Sequence, residues 1–138
     1  SAVRKLERMG QMSEAVLDAS ALLALLNAEP GSEVVEATIP GAAISTVNLS
    51  EVVAKLADRG LPEAAIREVL GDVEMALYTF DAAAAHQAGQ LRRETRHLGL
   101  SFGDRACVAL GRQLGLPVLT ADGNWEALDV GVEVQLIR

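Results

Sequence analysis

Residues 16–26 read VLDASALLALL. The stretch begins as a buried strand, ends as an apolar helix, and puts one carboxylate, Asp18, at the junction. Parallel sheets covered by helices make such joints. They collect them along the edge where strand C-terminal ends meet helix N-termini. The rest of the chain repeats the alternation. Strand patterns fall at 15–17, 42–46, 76–80, 117–120 and 132–137. Helical patterns fall near 20–28, 32–37, 49–59, 62–72, 82–97 and 104–114. This predicts an α/β fold: a three-layer α/β/α sandwich around a central, mostly parallel sheet of five strands.

The helical wheels refine the picture. Over 49–59, Leu49, Val52, Val53 and Leu56 share one face, and Glu51, Lys55 and Arg59 lie on another. Over 104–114, Ala106, Cys107, Leu110 and Leu114 form the expected buried stripe, with Cys107 as a small core residue.

At 138 residues, half of them apolar, the chain can build one domain with a proper core. The longest apolar run, 21–26, is far short of the ~18 residues a membrane helix needs, so no membrane is expected among its partners. The single cysteine allows no internal disulfide and fits a cytoplasmic setting. Trp125, Tyr78, Phe80 and Phe102 are its only aromatic residues, few for a stacking surface along single-stranded nucleic acid. The formal charge of −7 argues against gripping nucleic acid through the whole surface. It leaves room for a local basic rim and suits a basic protein partner. Residues 1–11, SAVRKLERMGQ, fit no later pattern. They read as a cloning remnant or an extended start, with MSEAVLDAS from Met12 as a natural beginning and 12–138 as a single domain.

Four acids stand at comparable places. Asp18 follows the first strand, Glu51 lies in the first turn of the helix after the second, Asp104 opens a helix, and Asp122 follows PVLT. Each has an ordinary structural explanation. Asp18 can cap the next helix, in competition with Ser20. Asn48 and Glu51 have capping-box spacing, and Glu51 can pair with Lys55. Ser101 and Asp104 match a capping box, and Asp122-Gly123 is a common turn. Taken together, all four can converge on one sheet edge. Converging carboxylates repel unless a cation lies among them. Oxygen donors without cysteine or histidine select Mg²⁺ or Mn²⁺ over Zn²⁺. No other catalytic constellation is present: His86 and His97 have no nucleophile beside them, and no GxGxxG or Walker A pattern occurs.

VLDASALLALL, ISTVNLSEVVAKL, LSFGDRACVALGRQLGLPVLTAD and the trailing NWEAL together resemble PIN domains, most closely the VapC toxins of toxin–antitoxin pairs. The resemblance runs from about Val16 to the C-terminus. It implies five parallel strands sandwiched by helices and a Mg²⁺- or Mn²⁺-dependent endoribonuclease. Carried over by position, Asp18, Glu51, Asp104 and Asp122 become the catalytic and metal-binding acids, holding one or two ions. Ser20 and Asn48 support them. Water activated at the ion attacks phosphorus and leaves 5′-phosphate and 3′-hydroxyl ends. The resemblance further implies a homodimer and a cognate VapB-like antitoxin. Arg92, Arg93, Arg96 and His97, with Arg105 and Arg112 on the next helix, are candidates for RNA contact; basic residues late in a helix also simply complement its dipole. Ile66, Val69 and Leu70 can serve a dimer face, an antitoxin face or the core. The alternative is a PIN-like RNA- or protein-binding module without significant nuclease activity. A phosphoacceptor domain would need an early acidic pair and a late lysine, and the only lysines are Lys5 and Lys55.

Overall fold

A computed structural model describes residues 13–138, so the expectations for residues 1–11 and for a start at Met12 lie outside the described residues. The strands are β1 (Ala15–Leu17), β2 (Ala42–Ser45), β3 (Met75–Tyr78), β4 (Val118–Thr120) and β5 (Val134–Leu136). The helices are α1 (Ala19–Leu26), α2 (Ser32–Glu36), α3 (Thr46–Asp58), α4 (Glu63–Gly71), α5 (Ala82–Thr95) and α6 (Phe102–Leu114). Short 3₁₀ turns follow at Arg96–Leu98 and Gly123–Ala127.

The five strands form one sheet in the order β3-β2-β1-β4-β5, and every pairing is parallel. Successive strand side chains point to opposite faces. Ala15, Leu17, Ala42, Ile44 and Leu119 therefore join the α1–α4 side of the core. Val16, Ala43 and Val118 join the other side with Leu91, Cys107, Val108 and Trp125. Helices thus cover both faces, which is why β1, β2 and β4 are buried throughout. The expected three-layer sandwich is present. Among the described residues, no helix is long and apolar enough to cross a membrane.

From β1 the sheet grows one way to β2 and the other way to β4. This reversal of strand order opens a crevice at the strands' C-terminal ends, where open α/β sheets bind ligands. Asp18 lies directly beyond β1 and Asp122 two residues beyond β4.

Two local expectations need correction. Helix α3 begins at Thr46, three residues earlier than the wheel suggests, because the Ser45 hydroxyl accepts the Val47 N–H (3.1 Å) and caps the helix there. Glu51 is therefore in the second turn, and Asn48 is a buried helix-interior residue and not a cap. The buried stripe of α3 is Asn48, Val52 and Leu56. Val53 faces outward with Leu49, into an apolar groove of about 520 Å³ that Ile66, Leu70 and Leu77 also line. Helix α5 ends at Thr95, and the expected last turn tightens to 3₁₀.

Candidate active site at the sheet edge

Asp18 does the structural job expected of it: its Oδ1 accepts the Ala21 N–H (2.8 Å) and caps α1. The same oxygen accepts the Ser20 hydroxyl (2.7 Å), and Oδ2 accepts the Thr120 hydroxyl (2.6 Å). Each hydroxyl oxygen in turn accepts a backbone N–H from the turn after β4, Ala121 on Ser20 (2.9 Å) and Asp122 on Thr120 (3.0 Å). Both hydroxyl protons are thereby aimed at Asp18. Only 5% of Asp18 is exposed. Burial raises its carboxyl above the usual aspartate range; the Thr120, Ser20 and Ala21 donors pull it back, and the charge of Asp104 pushes it up again.

Helices α3 and α6 meet at Gly103, the residue before Asp104, where Asn48 and Glu51 lie against it. Asn48 Nδ2 donates to Glu51 Oε1 (2.8 Å) and to the Gly103 carbonyl (2.9 Å), pinning the two helices together. The Glu51 carboxylate fills the space a side chain at position 103 would take, so any larger residue there would have to displace it. Asn48 Oδ1 is buried with no partner among the described residues. Asp104 forms the expected capping box: its Oδ2 accepts the Ser101 N–H (2.9 Å), and its own N–H donates to the Ser101 hydroxyl (3.2 Å).

Cys107 reports how these acids are gathered. Its thiol is fully buried and raised well above the ordinary cysteine range, first by desolvation and then by the charges of Asp18, Asp104 and Glu51. Carboxylates from three separate elements therefore act on one point inside the protein. The thiol itself stays protonated and inert, as a core cysteine should. Asp122 is exposed and lies further out. Its Oδ1 accepts the Asn124 N–H (3.0 Å), capping the 3₁₀ turn, and its backbone reaches Asp18 only through Thr120.

Among the described residues, no three acid, histidine or cysteine side chains stand close enough together to enclose a metal ion. Mg²⁺ does not need such a cage, since it keeps several waters and binds through one or two carboxylates. A buried carboxylate raised by burial and by a like charge, among oxygen donors, fits that requirement.

The basic candidates divide. Arg92, Arg93 and Arg96 line an open cleft of about 550 Å³ with Gly89 and Gln90. Arg105 instead donates through Nη1 to the Ala88 carbonyl (2.8 Å), and Arg112 pairs with Glu94 (3.7 Å). His97 is exposed. Thr120 and Gly103 were absent from the candidates drawn from sequence. A hydroxyl two residues before Asp122 and a glycine directly before Asp104 were visible, but their partners lie 102 and 52 positions away in the chain.

No curated protein sequence matches the chain. In fold it is similar to VapBC of Salmonella typhimurium, solved bound to DNA, with TM-score 0.73 and 21% identity over 92% of this chain and 100% of that one. It is similar to Mycobacterium tuberculosis VapC20, a sarcin–ricin loop cleaving toxin, with TM-score 0.69 and 23% identity over 87% and 99%. VapBC-5 from Mycobacterium tuberculosis is 27% identical, with TM-score 0.58 over 91% and 98%. The family model for the PIN domain matches residues 15–131, from the first residue of β1 to just before β5. That match spans most of the chain, and this chain belongs to the PIN domain family.

Proposed function

We propose that the chain is a Mg²⁺- or Mn²⁺-dependent endoribonuclease, the toxin of a toxin–antitoxin pair working in the cytoplasm. One observation carries the reading: Asp18, directly after β1, is almost fully buried, accepts hydrogen bonds from Ser20, Thr120 and Ala21, and feels the like charge of Asp104. A fold has no structural need for that repulsion, and a divalent cation relieves it. Asp18 together with Asp104 or Glu51 would hold the ion, and the remaining acids, Asp122 among them, would reach it through water. When bound, the ion would neutralise phosphate charge and lower the pKa of the attacking water.

The chain's own groups do the rest. Ser20 and Thr120 keep Asp18 in one orientation by spending their only protons on it. Asn48 holds Glu51 over Gly103, which keeps its second oxygen free to orient water toward a phosphodiester. Among the described residues no histidine or lysine is bonded to these acids, so a solvent proton would serve the leaving 3′ oxygen.

The partner side rests on the company the fold keeps. Similar structures include the VapBC assembly and a toxin–antitoxin complex from Klebsiella pneumoniae. A VapB-like antitoxin and a homodimer are the partners proposed here. The groove around Val53 and Leu77 offers them an apolar face. There Ile66 and Leu70 take part, with Ile66 also serving the core.

The test is a panel of structured RNAs incubated with the wild type and with Asp18→Asn, in Mn²⁺ and in EDTA. Cleavage is expected from the wild type with metal and from neither protein without it. Equal cleavage by both proteins means that another site, or a contaminant, is responsible.

A further inference from the structure

Three large apolar side chains are conspicuously exposed among the described residues: Val53 (36%), Leu77 (55%) and Phe102 (51%). Val53 and Leu77 belong to the groove between α3, α4 and β3. Phe102 does not. It is the first residue of α6, next to Gly103, over which the Glu51 carboxylate lies, and two before Asp104. About half of Phe102 is thus exposed, one residue before the glycine that the Glu51 carboxylate covers.

The ring is braced. Phe80 meets it at 5.4 Å with the two planes at 88°, an edge-to-face contact. Phe80 is itself fixed, since the Thr46 hydroxyl accepts its N–H (3.1 Å). The Arg105 guanidinium lies over the Phe102 ring at 6.0 Å, held there by the Ala88 carbonyl. A rigid, half-open aromatic ring carrying a fixed cation is what an unpaired base needs, because every base has a π-face and arginine adds cation–π attraction. The surrounding charge favours the same occupant. Where no ion neutralises Glu51 and Asp104 they repel the RNA backbone, so a contact at the neighbouring ring is made more readily through an uncharged base.

We propose that Phe102, backed by Phe80 and Arg105, is a stacking platform for an unpaired nucleobase next to the scissile phosphate. The proposal rests on the ribonuclease reading and adds a positioning residue: the ring would hold a base that is unpaired at the cut, since a duplex keeps its bases stacked on each other. It also gives Arg105 a role through the ring, distinct from phosphate binding.

The experiment compares wild type, Phe102→Leu and Phe102→Trp on an unstructured RNA oligonucleotide in Mn²⁺. The same proteins are then titrated in EDTA with that oligonucleotide carrying 2-aminopurine. Leucine keeps apolar bulk but cannot stack. Phe102→Leu should raise KM about tenfold and abolish quenching of 2-aminopurine, with kcat within twofold and an unchanged melting temperature. Phe102→Trp should restore both readouts. A leucine variant with wild-type KM and quenching overturns the platform while leaving the nuclease intact. So does unchanged KM with an altered oligomeric mass, which would make the ring a protein contact. A wild type that neither cleaves nor binds RNA overturns the ribonuclease reading, and the platform with it.

Discussion

The inner and outer ends of the acid row are built in opposite ways. Asp18 is buried, and both its oxygens are taken by donors whose own geometry is fixed by backbone N–H groups. Asp122 is exposed and holds only the short bond that caps its own turn. A tied carboxylate is preorganised, so it can fix the position of charge without reorganising as the reaction proceeds. A free one can follow a moving ligand but adds less. The largest expected effect follows. Asp18→Asn should lower kcat by about 10³-fold or more, roughly 4 kcal/mol at 1.36 kcal/mol per decade, while Asp122→Asn should cost only ~10–100-fold. Rates under saturating Mn²⁺ decide it. Equal losses would mean that burial and bonding do not separate the two acids.

Glu51 lies between these extremes, tied at one oxygen by Asn48 and seated on Gly103. Gly103→Ala sharpens the comparison, because an added methyl must displace the Glu51 carboxylate. We expect a loss of about 10²-fold in kcat with the fold retained, an effect between those of Asp18 and Asp122. Near wild-type activity would show that the Glu51 position is not critical.

The burial of Asp18 also carries a stability cost, with a definite sign. Its folded carboxyl is raised above 3.8, so between that value and the raised one the folded state holds a proton that the unfolded state has released. Stability contributed by this group is full at low pH and is lost as pH rises through the raised pKa. Asp18→Asn removes the cost of burying the charge. The variant should melt higher than wild type at pH 7 without added metal, and the gain should vanish near pH 3. Added Mn²⁺ should narrow the gap at pH 7 by stabilising only the wild type. A variant less stable than wild type at pH 7 would mean that the three hydrogen bonds outweigh desolvation.

The same contrast decides what could be read in the chain beforehand. All five strands and six helices were legible, because alternation and 3.6-residue periodicity are local signals. So were the places of Asp18 after the first strand and of Asp104 at a helix start, because strand ends and helix caps are local signals too. The start of α3 was not, since Ser45 reads equally well as a strand end and as a cap. The ties were the least legible part. Thr120 reaches Asp18, and Asn48 reaches Gly103, across more than fifty residues of chain. Nothing within a window of either residue announces its partner. Phe102 was counted with the scarce aromatics, but its exposure is a property of packing and not of composition.

Tied and free groups also separate the arginines, and here the expected effect is smallest. Arg105 and Arg112 are occupied by Ala88 and Glu94, whereas Arg92, Arg93 and Arg96 border an open cleft. A cation already holding a carbonyl or a carboxylate must give that contact up before it can neutralise a phosphate. An exposed one gives up only water. Each phosphate contact on single-stranded nucleic acid contributes about −0.7 to the slope of log affinity against log salt. Replacing Arg92 and Arg93 together by alanine should therefore flatten that slope by about 1.4, with affinity falling alike for every RNA sequence. Arg112→Ala should leave the slope unchanged, since its charge is spent within the fold. RNA binding measured in EDTA between 50 and 300 mM salt reads both. If Arg112→Ala flattened the slope and the double variant did not, the cleft would play no part in holding RNA, and the free-versus-tied distinction would fail for the cations even where it held for the acids.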